Sequence, residues 1–289
     1  MIAIVLALLA GASNAIASVL QRRVAKAAPE SDAFKPALIL DLLRSPMWLG
    51  GIVALIAAFV LQAAALSIAG LSLVQPLLAV ELPFTMILIA WLAPRGLKRV
   101  PWPAVVLLTV GLAVLLFALS PDEDYHLPST SAWIVAMVCT VGAVAGLIAV
   151  AWAIHRPARA VLLGIATSTG FALTAAFMNT ATRQLEDGIE TVLTSWQVYA
   201  MALAGLISLF LLQNALQSGS LVAVQPALTI SDPVASIILG VYLFGEDVRG
   251  GPWIILEAAG LALILLGSIG IARSPLLHEE HSVSQAQRV

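Results

Sequence analysis

Charge is what this chain has least of. Asp, Glu, Lys and Arg make up 10% of its 289 residues, against 61% hydrophobic. A water-soluble domain carries about a quarter charged residues, so this chain could not cover itself in water. The shortage excludes a soluble globular protein and leaves an all-α integral membrane protein. Cysteine is nearly missing too. Cys139 is alone, so no disulfide framework exists, and its apolar neighbours suit a small buried hydrophobe. Also lacking are paired histidines at metal-ligand spacing, a Gly-x-Ser-x-Gly turn, a phosphate loop, an aspartate-rich motif and a basic patch. The chain is therefore expected to be no enzyme, to need no cofactor and to bind no nucleic acid.

What is present is apolar length. At roughly 20 residues per crossing, nine spans fit, at 2–20, 48–69, 71–93, 102–120, 132–154, 159–181, 196–215, 219–243 and 252–272. Basic residues follow the first run instead of preceding it, so it reads as a retained span and not a signal peptide. With the N-terminus outside, twelve of the fourteen Lys and Arg fall on the inner side, and only Arg183 and Arg249 fall outside. The outer loops carry PDEDY (121–125) and LEDGIE (185–190). Positive charge held inside gives an N-outside, C-inside topology in a plasma membrane. The inner segment 21–47 contains the amphipathic stretch FKPALILDLLRSP (34–46), too short to span and suited to the membrane surface. The polar tail, with His278 and His281, reads as solvated.

Two stretches echo one another. LSLVQPLLAVELPFTMILIAWLA (71–93) shifted by 150 positions falls on LVAVQPALTISDPVASIILGVYL (221–243). Flanking matches extend the echo: PW at 101–102 and 252–253, and GLAVLL (111–116) against GLALIL (260–265). The copies occupy the third and eighth spans, so they cross in opposite directions. This gives a first membrane repeat (1–120), a fifth span with connectors (121–158), a second, inverted repeat (159–273) and a tail (274–289). Inverted repeats of this kind occur in secondary transporters, with the site near the midplane.

Each copy carries a carboxylate, Glu81 in one and Asp232 in the other. Both lie roughly 15–18 Å along their spans, near the middle of the bilayer core. An ionised acid there needs a cation, a proton or a water-filled cavity, so these two are the candidate coupling residues. A hydrogen-bonded structural pair is the plainer alternative. Pro76, Pro83, Pro226 and Pro233 are candidate helix breaks, and Pro83 and Pro233 should free the carbonyls of Ala79 and Thr229. Gln75 and Gln225, paired by the echo, lead the candidate substrate contacts, followed by Asn14, Gln62 and Thr229; amides also serve simply to link helices. Gly142 and Gly146, four apart, suit close helix packing.

The two echoing stretches, the second closing on Gly245-Glu246, resemble the drug/metabolite transporter superfamily, EamA-like in pattern. The nine spans and paired helix starts are also similar to the NIPA-type magnesium branch, although Glu81 and Asp232 stand where that branch is usually neutral. The resemblance implies proton-coupled export of a small polar or amphipathic metabolite by alternating access, with a divalent-cation carrier as the alternative and the metal left unknown. A non-transporting membrane subunit is the reading from another class. Expected partners are the bilayer and a small-molecule or ion substrate, and a homodimer is allowed.

Overall fold

The computed structural model describes residues 1–27, 45–92, 100–120, 127–154, 158–218 and 221–274. Among these there is no strand. The helices are α1 (Ile2–Ala27), α2 (Pro46–Ile68), α3 (Leu71–Leu78), α4 (Glu81–Leu92), α5 (Trp102–Leu119), α6 (Thr130–Ala153), α7 (Ala158–Arg183), α8 (Ile189–Thr194), α9 (Trp196–Ser218), α10 (Leu221–Phe244) and α11 (Trp253–Ala272). Nine stretches among the described residues are long and apolar enough to cross a membrane, α3 and α4 counting together as one. They match the expected spans to within a few residues. Large exposed side chains such as Trp152, Phe210 and Ile255 cover the outside of the bundle, as a surface facing lipid requires.

The helix ends are set locally. Ser45 caps α2 by accepting from the Trp48 amide at 3.4 Å, with Pro46 at the first helical position. These two residues closed the stretch expected to lie on the membrane surface; they start a spanning helix instead. The rest of 34–46, and the tail with His278 and His281, lie outside the described residues. Ser129 caps α6 by accepting from the Ala132 amide. Gly245, at φ 67°, ends α10 in the left-handed conformation that glycine adopts without strain.

The third span departs from expectation. It is not one helix but two, broken at Ala79–Val80. Pro83 was expected to orphan the Ala79 carbonyl, yet the Leu82 amide donates to it at 3.2 Å. The break explains this. Tight bonds from Ala79 to Pro76 and from Val80 to Leu77 end α3, and Pro83 then falls in the first turn of α4, where a missing N–H costs nothing. In α10, by contrast, Pro226 and Pro233 sit inside one continuous helix. They are not breaks: the helix runs unbroken through both prolines.

Packing follows the same order in both halves: α1 lies on α2 and on α3–α4, while α7 lies on α9 and on α10. The tightest crossing joins α5 to α11. A Cβ at Gly111 would stand 2.8 Å from the Gly260 carbonyl oxygen, and one at Gly260 would stand 2.9 Å from that of Gly111. Gly142 and Gly146 do the reverse of what their spacing suggested. A Cβ at either meets nothing within 4 Å, since α6 presents that face outward. Cys139 is exposed on the same helix and not buried.

Candidate functional site

Among the described residues, the buried side chains are grouped differently toward the two ends of the bundle. At the end carrying the N-terminus, one continuous core runs from Ala7 and Leu66 through Leu71, Leu115 and Phe177 to Phe244. Trp133 stacks on Phe177 with ring centroids 4.8 Å apart and meets Trp196 and Phe244 edge-on. Toward the other end the described buried residues divide. Met86, Ala90 and Leu108 form one group with Ile271, and Ala160, Leu163 and Ala215 form another with Val224.

The end carrying the N-terminus is fastened by Glu246, 4% exposed. Its carboxylate accepts from the backbone amides of Leu71 at 2.5 Å and Ser72 at 2.8 Å, the first two of α3. The next two amides, Leu73 and Val74, donate to the Gly70 carbonyl, so all four donors at this helix start are satisfied. Two glycines make the room. A Cβ at Gly70 would lie 2.6 Å from the Glu246 carboxyl carbon, and one at Gly240 would lie 2.5 Å from Oε2. A buried carboxylate at a helix N-terminus is favoured by charge-assisted bonds and by the helix dipole. Beside it Arg249 closes the end of α5: its amide donates to Leu119, and its guanidinium lies 4.8 Å from the Trp253 ring centre.

Halfway along, the helix break sets Glu81 in the first turn of α4. Oε2 accepts from Asn14 Nδ2 at 2.6 Å and Oε1 accepts from Ser18 Oγ at 3.3 Å. Gly11 lets α1 run this close, since a Cβ there would stand 2.9 Å from Val80. Asn14, expected as a substrate contact, is thus a partner of Glu81. Asp232 differs. Its Oδ1 is buried and has no hydrogen-bond partner among the described residues, and no bond joins it to Glu81. The two acids are also one position out of register in the echo, so they do not form a matched pair.

Of the amides, Gln75 is 4% exposed and its Nε2 has no partner among the described residues. Gln62 and Gln225 are half-buried, and no side-chain bond ties them to the acids. Thr229 is a fastening point: its hydroxyl donates to the Gln225 carbonyl at 2.9 Å and accepts from Ser268 at 3.3 Å. Ser168 likewise ties α7 to α10 through the Leu228 carbonyl. Sequence reasoning passed over Ser18, Ser72 and Ser236, because isolated serines in apolar helices are common. It met Glu246 only as the end of a pattern.

The fold defines the class: a multi-pass, all-α membrane protein. No family model matches the chain, and no solved structure matches it. An uncharacterized protein of Corynebacterium glutamicum, Cgl0250/cg0304, is 26% identical over 279 residues, covering 95% of this chain and 96% of the relative.

Proposed function

We propose that this protein is a secondary active transporter of the drug/metabolite type, exporting a small polar or amphipathic metabolite from the cell in exchange for protons. The observation that carries the reading is the pair of mid-span acids beside a broken helix, Glu81 held by Asn14 and Ser18 and Asp232 with an unpaired oxygen. Ionisable groups at this depth are costly and mark ion or substrate paths. The matched packing of the halves supports an inverted repeat. The GLAVLL and GLALIL segments touch through Gly111 and Gly260, as equivalent residues on a pseudo-two-fold axis must. In this reading the chain is not an enzyme and sits in the plasma membrane with the end held by Glu246 outside.

That orientation predicts a labelling pattern. With Cys139 replaced by Ala, Glu190→Cys should react with a membrane-impermeant maleimide in intact cells. Arg273→Cys should react only after permeabilisation. The opposite pattern would reverse the topology and put the end held by Glu246 inside.

The functional test compares metabolites and magnesium in cells and medium. Wild type is set against Glu81→Gln/Asp232→Asn at matched membrane abundance. An organic compound retained inside only with the double variant is the expected result. A difference confined to magnesium would replace the metabolite with a divalent cation, and no difference in either would refute transport.

A further inference from the structure

Three side chains on α3 and α10 are more than nine-tenths buried yet have an atom without a hydrogen-bond partner among the described residues. They are the hydroxyls of Ser72 and Ser236 and the amide nitrogen of Gln75. Asp232 adds its Oδ1. Sequence spacing puts them in two rows: Ser72 and Gln75 three apart on α3, and Asp232, Ser236 and Gly240 four apart on α10. The register between the rows is fixed at Gly240, where a Cβ would lie 2.7 Å from Ser72 Oγ. The helices run antiparallel, because the start of α3 meets Glu246 just beyond the end of α10. From the Gly240 level, a rise of about 1.5 Å per residue puts Gln75 about 4.5 Å, Ser236 about 6 Å and Asp232 about 12 Å along the seam. Gln75 and Ser236 therefore share a level, and the acid lies about one helical turn further from the end held by Glu246.

Each buried polar atom left unpaired costs about 1–3 kcal/mol. Native structures carry few of them, and each asks for an explanation. Four along one seam have a common explanation in a ligand that supplies what they lack. We propose that the seam between α3 and α10 binds a small molecule with an ammonium group at one end and a hydrogen-bond acceptor a few ångströms away. The atom types assign the ends. An ionised Asp232 only accepts, so it takes the ammonium; Gln75 Nε2 only donates, so it takes a carbonyl or carboxylate oxygen; the two hydroxyls adapt to either. The axial offset of about 7.5 Å between Gln75 and Asp232, less the reach of both side chains, sets the spacing between the two ligand groups. This site deepens the transport reading and rests on it, because its ligand would be the cargo.

The test uses the purified full-length chain in detergent and a series of aminoalkanamides, from glycinamide upward, with alkylamines and alkanamides of matching length. One member should raise the melting temperature and bind about tenfold or more tightly than its single-headed relatives, the worth of one bond to a charged group. Asp232→Asn should erase the advantage over the alkanamide, and Gln75→Met the advantage over the alkylamine. Ser236→Ala guards against variants that fail to fold. It deletes an unpaired hydroxyl, so the ligand-free melting temperature should hold or rise while ligand binding weakens. The site is refuted if no member outbinds its single-headed relatives, or if the advantage survives both substitutions. Binding without flux would refute transport and leave the site standing. Flux unaffected by Gln75→Met and Ser236→Ala would refute the site and leave transport standing.

Discussion

Gly260→Val should leave no monodisperse folded protein to purify, whereas Gly142→Ala and Gly146→Ala should melt at or above the wild-type temperature. All three replace a glycine in a membrane helix, so composition cannot tell them apart. Surroundings can. A Cβ at Gly260 would lie 2.8 Å from the Leu115 amide nitrogen and 2.9 Å from the Gly111 carbonyl oxygen. These are backbone atoms of α5, held in their own helical bonds, and they cannot swing aside as a side chain would. Relief requires α5 and α11 to separate, and the same seam is pinned again at Gly267, where a Cβ would lie 2.6 Å from the Leu108 nitrogen. Overpacking usually costs about 1–3 kcal/mol; forcing two backbones apart along a glycine seam belongs at or beyond the upper end. At Gly142 and Gly146 nothing stands within 4 Å, so alanine adds only its better helix propensity, about 1 kcal/mol. Size-exclusion profiles and thermal melts in detergent measure both arms. Wild-type melting of Gly260→Val would mean that the crossing is looser than its geometry.

The same contrast shows how far the sequence was legible. Apolar length and the sorting of basic residues located the nine spans, because the bilayer imposes one length scale and helices are the only open-ended structure that satisfies their own backbone in lipid. The recurrence of GLAVLL in GLALIL flagged the segments that cross at Gly111 and Gly260. Spacing alone failed at Gly142 and Gly146: a pair of glycines four apart defines a face of a helix but not what that face meets. The prolines misled for a related reason. Pro83 predicts a missing donor wherever it sits, but only the chain's path reveals that the helix has already ended at Leu78, three residues before Glu81, in a turn whose bonds cover the Ala79 carbonyl. Asn14 and Glu81 were both visible as polar residues in apolar runs. Their 2.6 Å bond was not, since it joins helices 67 residues apart in sequence. Ser72 and Ser236 carried no signal at all until burial and the lack of partners set them apart.

Glu246→Ala should release the start of α3. The substitution removes both bonds that the Leu71 and Ser72 amides make and leaves two donors buried beside Gly70 and Gly240. Bonds to a charged group are worth about 1.5–3 kcal/mol each. Even with water entering, a net loss of about 3 kcal/mol is expected, and amide hydrogen exchange over residues 71–74 should quicken by about a hundredfold. Glu246→Gln should behave almost as badly. Its amide offers one acceptor where two are needed, and its NH2 would face a backbone N–H. Ser72→Ala, by contrast, keeps the backbone amide and should leave the exchange rate alone. If protection at α3 survives Glu246→Ala, the carboxylate is not what fastens that end. In an alternating-access cycle the bond has a second consequence. On the proposed transport reading, the end that Glu246 holds would open once per turnover, so the acid would leave two helix amides and later regain them. Weakening the cap should therefore favour the state open at this end, and the exchange gained by α3 should be matched by protection gained at the far end, around Met86 and Val224. A cap serving stability alone would loosen α3 and leave the far end unchanged.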